Sequence, residues 1–396
     1  MAKGVPQSVI ELLQMMVRVN TVNRALPGSC DAESMLVDQL GSVATVWGLQ
    51  VKRLAVEGQS DQLLLTHCVD HDQPWLMFDS HLDTVSVEGM TIDPFSAEVK
   101  EGKVWGRGSC DTKGTGAAML WAMKEAVERQ AEQPLLNNLA LLFSVDEEVS
   151  MRGVASFVKQ DLASLGWSPA AVVVGEPTEM RPVIAHNGCI RWSLTTHGKA
   201  CHSSVPHEGV SAISAMVRII DLIESKYIPS LKAEHPLTGP AVCSINMIQG
   251  GSAPNIIPDR CTIEIDRRIV PGEDLDQAIA DIHASLEPLT AGDSPVQFTQ
   301  EVVVGHPAFG IERNGPWVDH LVSVLVSLGM SKLTLGAPFA THAAYFDQAQ
   351  IPAVVLGPGS PHTAHTKDEW VAVDQIERGV ELYRAIMQAP LAAMSS

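Results

Sequence analysis

Acidic and imidazole residues in this chain fall directly after short apolar runs. His81 and Asp83 follow WLMFD (75–79), Glu147 and Glu148 follow LALLF (139–143), Glu176 follows AVVV (171–174), and His365 lies beyond AVVL (353–356). Asp111 ends the glycine-rich segment Gly106-Arg107-Gly108-Ser109-Cys110-Asp111. Two imidazoles and several carboxylates, with no thiolate among them, suit one or two borderline-hard divalent cations, zinc first. A pair of cations needs a bridging carboxylate, and such a pair activates water and polarises an acyl oxygen. Within Glu147-Glu148, one glutamate can ligate while its neighbour takes a proton from the attacking water. Asp83, two residues past His81, is placed to orient that imidazole through its other ring nitrogen.

Taken singly, each of these features has an ordinary structural reading. An H-x-D triplet is usually a surface loop, a Glu-Glu pair a solvated helix start, and an Asp in a glycine loop a turn residue. Their joint placement is what carries weight. In an open parallel sheet, ligands bind outside the carboxyl ends of the strands, so four strands deliver these groups to one rim.

The elements that must position them have two grammars. Up to about residue 185, helical patterns alternate with continuously apolar runs. Leu36, Leu40, Val43 and Trp47 recur at helical spacing before Gly48, and further helices are expected over 115–128 and 154–162. Ser8-x-x-Glu11 reads as a capping box opening the first helix. Apolar runs without alternation predict strands covered on both faces, hence a mainly parallel sheet flanked by helices. The same grammar returns at 353–356, before a C-terminal helix. In the middle, 189–197, 241–248 and 261–269 alternate, helical patterns fill 209–225 and 274–287, and a strand is expected at 296–304. Strand, helix, strand, strand, helix, strand is the order of a ferredoxin-like sandwich. The expected organisation is an α/β catalytic domain over 1–187 and 305–396, interrupted by an α+β insertion over 188–304.

Composition narrows the functional classes. Among 396 residues, 27 Lys and Arg face 46 Asp and Glu, a formal charge of −19, which disfavours nucleic-acid and membrane-surface partners. The seven cysteines are scattered, without a C-x-x-C pair, as suits reduced thiols in a cytoplasmic protein. A secretory leader and an apolar stretch long enough to span a bilayer are both missing from the pattern.

Eight segments together resemble the di-zinc amidohydrolases that include acetylornithine deacetylase, succinyl-diaminopimelate desuccinylase, aminoacylase and glutamate carboxypeptidase. They are SHLDTV (80–85), WGRGSCDTKG (105–114), DEE (146–148), GEPTE (175–179), GKACHSSVPHEG (198–209), GGSAPNIIPD (250–259), DRRIVPGE (266–273) and AHTKDEW (364–370), in the family's order. The resemblance implies a zinc-exopeptidase-like fold with two zinc ions, for which cobalt can substitute. His81 and Glu176 would hold one and Glu148 and His365 the other, with Asp111 bridging. Glu147 would be the general acid/base and Asp83 the partner of His81. It further implies that the inserted domain is a lid and dimer contact, that His202 stabilises the oxyanion in the neighbouring subunit, and that Asn255 and Arg268 grip the substrate. On its own pattern, Arg268 falls on the polar face of its strand with Thr262, Glu264 and Asp266. The ordinary alternatives are that His202 caps the helix near 209 and that Arg268 forms a surface ion pair.

One segment departs from the pattern. Where relatives often carry an acidic residue after Thr or Ser, this chain has Thr341-His342, in a loop expected near the substrate, so His342 is expected to alter which side chain is accepted. The activity implied is metal-dependent removal of an N-acyl group from an amino acid with a free carboxylate, most like acetylornithine deacetylase. A dipeptidase, carboxypeptidase or desuccinylase would use the same groups with another pocket. A non-catalytic binding protein on this fold would have lost a ligand or the base, and none is lost here.

Overall fold

The computed structural model describes residues 4–30, 32–291, 295–310 and 314–391. The chain divides into two compact units. The larger comprises the described parts of Met1–Ile184, Ile311–Leu335 and Thr341–Ser396, and the smaller Ala185–Gly310 with Gly336–Ala340.

The larger unit begins with helices α1 (Val9–Val17) and α2 (Glu33–Val46) and strands β1 (Gln50–Leu54), β2 (Gln62–His67) and β3 (Trp75–His81). Helix α3 (Lys113–Glu128), β4 (Asn138–Ser144) and β5 (Pro169–Val174) follow. In the sheet the order is β1-β2-β4-β3-β5, then the returning strand Ala353–Val355, with Val183–His186 and Leu335–Ala337 completing the edge. Strand β3 runs parallel to both β4 and β5, and Ala353–Val355 parallel to β5. The β1–β2 and β2–β4 pairs are antiparallel. This is the mainly parallel, helix-flanked sheet that the apolar runs predict. Every residue of β4 is buried, which explains why it reads without alternation.

Helix α3 and the C-terminal helix Val373–Gln388 share one apolar cluster with α1, contributed by Leu12, Met16, Phe78, Leu120, Phe143 and Tyr383. Two buried aromatics have their polar ends satisfied: the Tyr383 hydroxyl donates to the Leu356 carbonyl at 2.7 Å and the Trp317 indole to the Val172 carbonyl at 3.1 Å. Ser8 caps α1 by accepting from the Glu11 N–H, as expected, but the Glu11 carboxylate reaches back to the N–H of Gln7 rather than of Ser8. Helix α2 ends at Val46 with Trp47 as its C-cap, and Gly48 follows at φ +79°, a conformation glycine adopts without steric cost.

The smaller unit contains β6 (Gly188–His197), α4 (Ala212–Leu222), β7 (Val242–Gly250), β8 (Arg260–Ile269), α5 (Leu275–Leu286) and β9 (Phe298–His306). The four strands are antiparallel in the order β7-β8-β6-β9, the arrangement of a ferredoxin-like sandwich. Its core joins Trp192 and Leu194 of β6, Ile263 and Ile265 of β8, Ile219 of α4 and Ile282 of α5. Ser211 and Asp274 cap α4 and α5.

Candidate metal centre

Two overlapping groups of ligand-type side chains stand at the carboxyl ends of the strands. His81, Asp111 and Glu176 form one, Asp111, Glu148 and His365 the other, and within each group the ligand atoms lie within 4.8 Å of one another. Asp111 belongs to both. Its Oδ1 is 3.2 Å from His81 Nε2 and its Oδ2 3.1 Å from His365 Nε2. His365 Nε2 is also 3.2 Å from the Glu148 carboxylate, and His81 Nε2 is 3.9 Å from Glu176 Oε1. All five residues that the sequence analysis nominates as ligands are thus together, drawn from the ends of β3 and β5, the loop after β4, the glycine-rich loop before α3, and the segment beyond Ala353–Val355.

Local backbone explains the placement. Gly114 lies where an added Cβ would sit 2.3 Å from the Ser109 carbonyl, so the tight turn that presents Asp111 excludes any side chain there. Gly175 meets the same exclusion, its Cβ falling 2.5 Å from Thr115, which lets Glu176 pass close over α3. Asp146 and His365 both adopt positive φ, at +63° and +56°. Non-glycine residues held there mark a conformation imposed by the surroundings.

Asp83 acts differently from the simplest expectation. His81 Nδ1 is 2.9 Å from the Asp83 carbonyl and 3.6 Å from its carboxylate, so the backbone oxygen makes the closer contact. A carbonyl only accepts, so Nδ1 carries the hydrogen and Nε2 is the atom that faces Asp111 and Glu176. The Asp83 carboxylate instead accepts from the backbone N–H groups of Glu147 and Glu148, at 3.0 and 3.1 Å, and from the Asn23 amide at 2.8 Å. One aspartate therefore aims the imidazole with its main chain and the glutamate pair with its side chain.

The electrostatics favour positive charge at the centre. Burial opposes charge on both histidines, yet Asp111 and Asp83 hold His81 well above its ordinary value, and Asp111 and Glu148 push His365 up to about 11. Asp111, despite burial, is held low by His365 and His81. Burial and, after it, the Asp111 carboxylate raise Glu176. Burial likewise raises Glu147, reinforced by Glu148, Asp83 and Asp111 and opposed by His81. A site that stabilises protons on imidazole through crowded carboxylates stabilises a divalent cation by the same Coulombic argument. The donor set, two imidazole nitrogens and three carboxylates with one shared, therefore fits two such cations. Cys110, beside Asp111, is buried with its thiol pushed up, which makes it a poor ligand.

Glu369 went unassigned in the sequence, although it sits within AHTKDEW. Its carboxylate is fully buried and accepts from the backbone N–H groups of Gly108, Cys110 and Asp111 and from the Arg107 guanidinium. The signal was only an acidic residue before Trp370; its clamp depends on contacts some 260 residues away in sequence.

His342 corrects an expectation. Its ring is 1% exposed, and Nδ1 lies 2.7 Å from Asp79 Oδ2 and 3.4 Å from the Ser144 hydroxyl. It packs inward with its centroid 6.5 Å from that of His81, so it forms an internal partner of β3 rather than a surface that meets a substrate side chain. His362 is exposed and belongs to neither ligand group.

The remaining nominated residues lie in the smaller unit. His202 is exposed in the two-stranded ribbon Cys201–His202 and Ile256–Ile257, with Nδ1 2.8 Å from the Ser204 hydroxyl. The Asn255 carbonyl accepts from the Ser203 N–H, which sets Asn255 beside His202. Helix α4 is capped by Ser211, so His202 has no capping role. Arg268 is paired with Asp266, its Nε 2.7 Å from Oδ1, which is the ordinary ion pair the sequence allowed.

Comparison with known proteins agrees with this geometry. Residues 77–389 match the profile of Peptidase family M20/M25/M40. Acetylornithine deacetylase of Proteus mirabilis is 28% identical over 395 residues, covering 96% of each chain. The M20 family metallo-carboxypeptidase Sso-CP2 of Sulfolobus solfataricus shares the fold, with a TM-score of 0.78 at 16% identity over 97% of this chain and 99% of that one. So does YXEP of Bacillus subtilis, described as a dinuclear metal binding peptidase, with a TM-score of 0.66 at 16% identity over 96% of each chain. The matched span takes in all five ligand-type residues and the glutamate pair, and the chain belongs to peptidase family M20/M25/M40, a family of metallopeptidases and amidohydrolases.

Proposed function

We propose that this enzyme removes an N-acyl group from an amino acid with a free carboxylate, as acetylornithine deacetylase does, using two zinc ions held by His81, Glu176, Asp111, Glu148 and His365. The observation that carries the reading is the double membership of Asp111, whose two oxygens face two different histidines. Zinc bound there would supply Lewis acidity for the acyl oxygen and make water a nucleophile at neutral pH. Glu147, raised by burial and its acidic neighbours, takes the proton from the attacking water as the new C–O bond forms. It delivers that proton to the nitrogen as the C–N bond breaks, so the products are a carboxylic acid and a free amine. Asp83 holds Glu147 by its backbone N–H and His81 by its ring N–H throughout.

In this reading the smaller unit is a lid and dimerisation domain. Asn255 and Arg268 bind the substrate, the arginine on its carboxylate, and His202 of a second subunit stabilises the oxyanion. Support for a homodimer comes from β7, an edge strand whose Met247 and Ile248 are each 61% exposed, and from α4, which exposes Val217. We place the reaction in the cytoplasm on the seven free cysteines. No helix among the described residues is long and apolar enough to cross a membrane.

The test is amine release from N-acetylornithine, other N-acetyl amino acids, N-succinyl-diaminopimelate and dipeptides, with zinc or cobalt added and again after chelation. Metal-dependent cleavage of N-acetyl amino acids in preference to the rest is expected. Preference for dipeptides or for the succinylated substrate would move the enzyme to the corresponding in-class alternative. Glu147→Gln should abolish turnover with metal content near wild type. Activity retained in that variant would remove Glu147 from its role.

A further inference from the structure

The smaller unit contains a cavity of about 460 Å³ that includes none of the metal-ligating residues. It lies between the chain that continues α4 and helix α5, above the end of β8. After Leu222 the helix widens into a π-helical turn, Ile223–Tyr227, which brings Lys226 and Tyr227 to the cavity wall. Such turns recur at functional positions in helices.

At the floor is Arg267, only 2% exposed, on the same face of β8 as Cys261, Ile263 and Ile265. A guanidinium at a core-facing position is costly unless its charge is compensated. Here the charge is met by Glu273, but the hydrogen bonding is incomplete. Nη2 donates to Glu273 Oε1 at 2.6 Å, Nη1 donates to the Arg268 carbonyl, and the Tyr227 phenol is a further partner, while buried Nε has no acceptor among the described residues. Glu273 is fully engaged, since its other oxygen accepts from the Val270 N–H at 2.8 Å.

Lys226 and Lys232, both exposed, add two positive charges at the rim. Against them stands Asp281, which already accepts from the Gln277 amide at 2.8 Å. Three cations against two carboxylates leave the lining with an excess of one positive charge, on a chain whose formal charge is −19. A concave cleft focuses such a field, and an arginine floor with lysines at the rim suits the carboxylate of a small ligand. The volume falls in the range of small-molecule sites, ample for an amino-acid-sized ligand.

We infer that this cavity binds a small organic anion carrying a carboxylate, at a site distinct from the metal centre. The inference does not depend on which amide the enzyme hydrolyses. The test is calorimetric titration of the full-length, zinc-loaded protein with sodium succinate at fixed ionic strength, with sodium chloride and inorganic phosphate as parallel arms. Saturable succinate binding is expected, weakened at least tenfold in a Lys226→Gln/Lys232→Gln double variant whose melting temperature matches wild type. Arg267→Gln should weaken it as much or more, and the lysine variants decide the matter if that protein fails to fold. Absence of saturable binding, an equal response to chloride, tighter binding of phosphate than of succinate, or unchanged affinity in the double variant would each overturn the site.

Discussion

The carboxylate of Glu369 holds the backbone of Asp111: Oε1 accepts the Asp111 N–H at 2.9 Å and the neighbouring Cys110 N–H at 2.8 Å, while Oε2 accepts from Arg107 at 2.7 Å. The aspartate common to both ligand groups is thus aimed by a buried acid that lies four residues past His365. Glu369→Gln would place amide hydrogens against backbone N–H donors and leave Arg107 buried without its counter-charge. We expect a loss of about 3 kcal/mol in unfolding free energy, measured by urea denaturation of the zinc-loaded protein. An Arg107→Met/Glu369→Gln double variant should lose less than the sum of the single changes; additive losses would mean that the two do not act as a pair.

Asp111 and Glu176 should differ in what their removal does to metal binding. Asp111→Asn weakens both groups, because one oxygen faces each histidine. Glu176→Gln touches only the group built on His81. Competition titration with a zinc chelator should show both equivalents weakened at least tenfold in Asp111→Asn, a scale typical of lost support at metal sites, and one equivalent spared in Glu176→Gln. A tight equivalent surviving in Asp111→Asn would contradict the shared position.

Glu33 supplies a pH dependence. It is 4% exposed, its Oε1 has no hydrogen-bond partner among the described residues, and burial together with the Asp83 carboxylate pushes its pKa up to about 8, from an ordinary 4.5. The folded chain therefore keeps a proton that the unfolded chain releases, so stability falls as pH rises through the interval from about 4.5 to 8 and levels off beyond it. Glu33→Gln removes this contribution. The stability difference, wild type minus variant, should decline steadily between pH 5 and 8 in urea midpoints; a constant difference would show that Glu33 is not held neutral.

The proposed action of His202 across a homodimer predicts complementation. His202→Ala and Glu147→Gln subunits, each inactive as homodimers, should recover about a quarter of wild-type activity after random exchange, since half the dimers are mixed and one of their two sites is intact. Mixed dimers verified by mass and still silent would place His202 outside the partner's chemistry.

Much of this was legible in the sequence because it rests on local periodicity. The runs at 75–79, 139–143 and 171–174 lack alternation because their strands are covered on both faces, and β8 alternates because one of its faces is covered. His81, Glu148 and Glu176 were legible for the same reason, each following a strand that could be recognised, whereas Asp111 and His365 rested on the segments WGRGSCDTKG and AHTKDEW. Strand β1 escaped notice because QVKRL is exposed over four of its five residues and carries no apolar signature. The strands Glu98–Lys100, Lys103–Trp105 and Trp370–Ala372 are three residues each, too short for a period to register. The inward turn of His342 onto Asp79 and the grip of Glu369 on the glycine loop join residues about 260 positions apart, which no local pattern encodes.

The interruption of the larger unit has a consequence for the order of events during synthesis. His81, Asp111, Glu148 and Glu176 leave the ribosome well before His365 and Glu369, with the whole of the smaller unit made in between. A nascent chain therefore carries an incomplete ligand set, and its glycine loop has no clamp, until residues 365–369 have been added. Assembly of the two ligand groups therefore waits for a segment made after the smaller unit, and a product truncated before residue 365 would be left without the second histidine of the set.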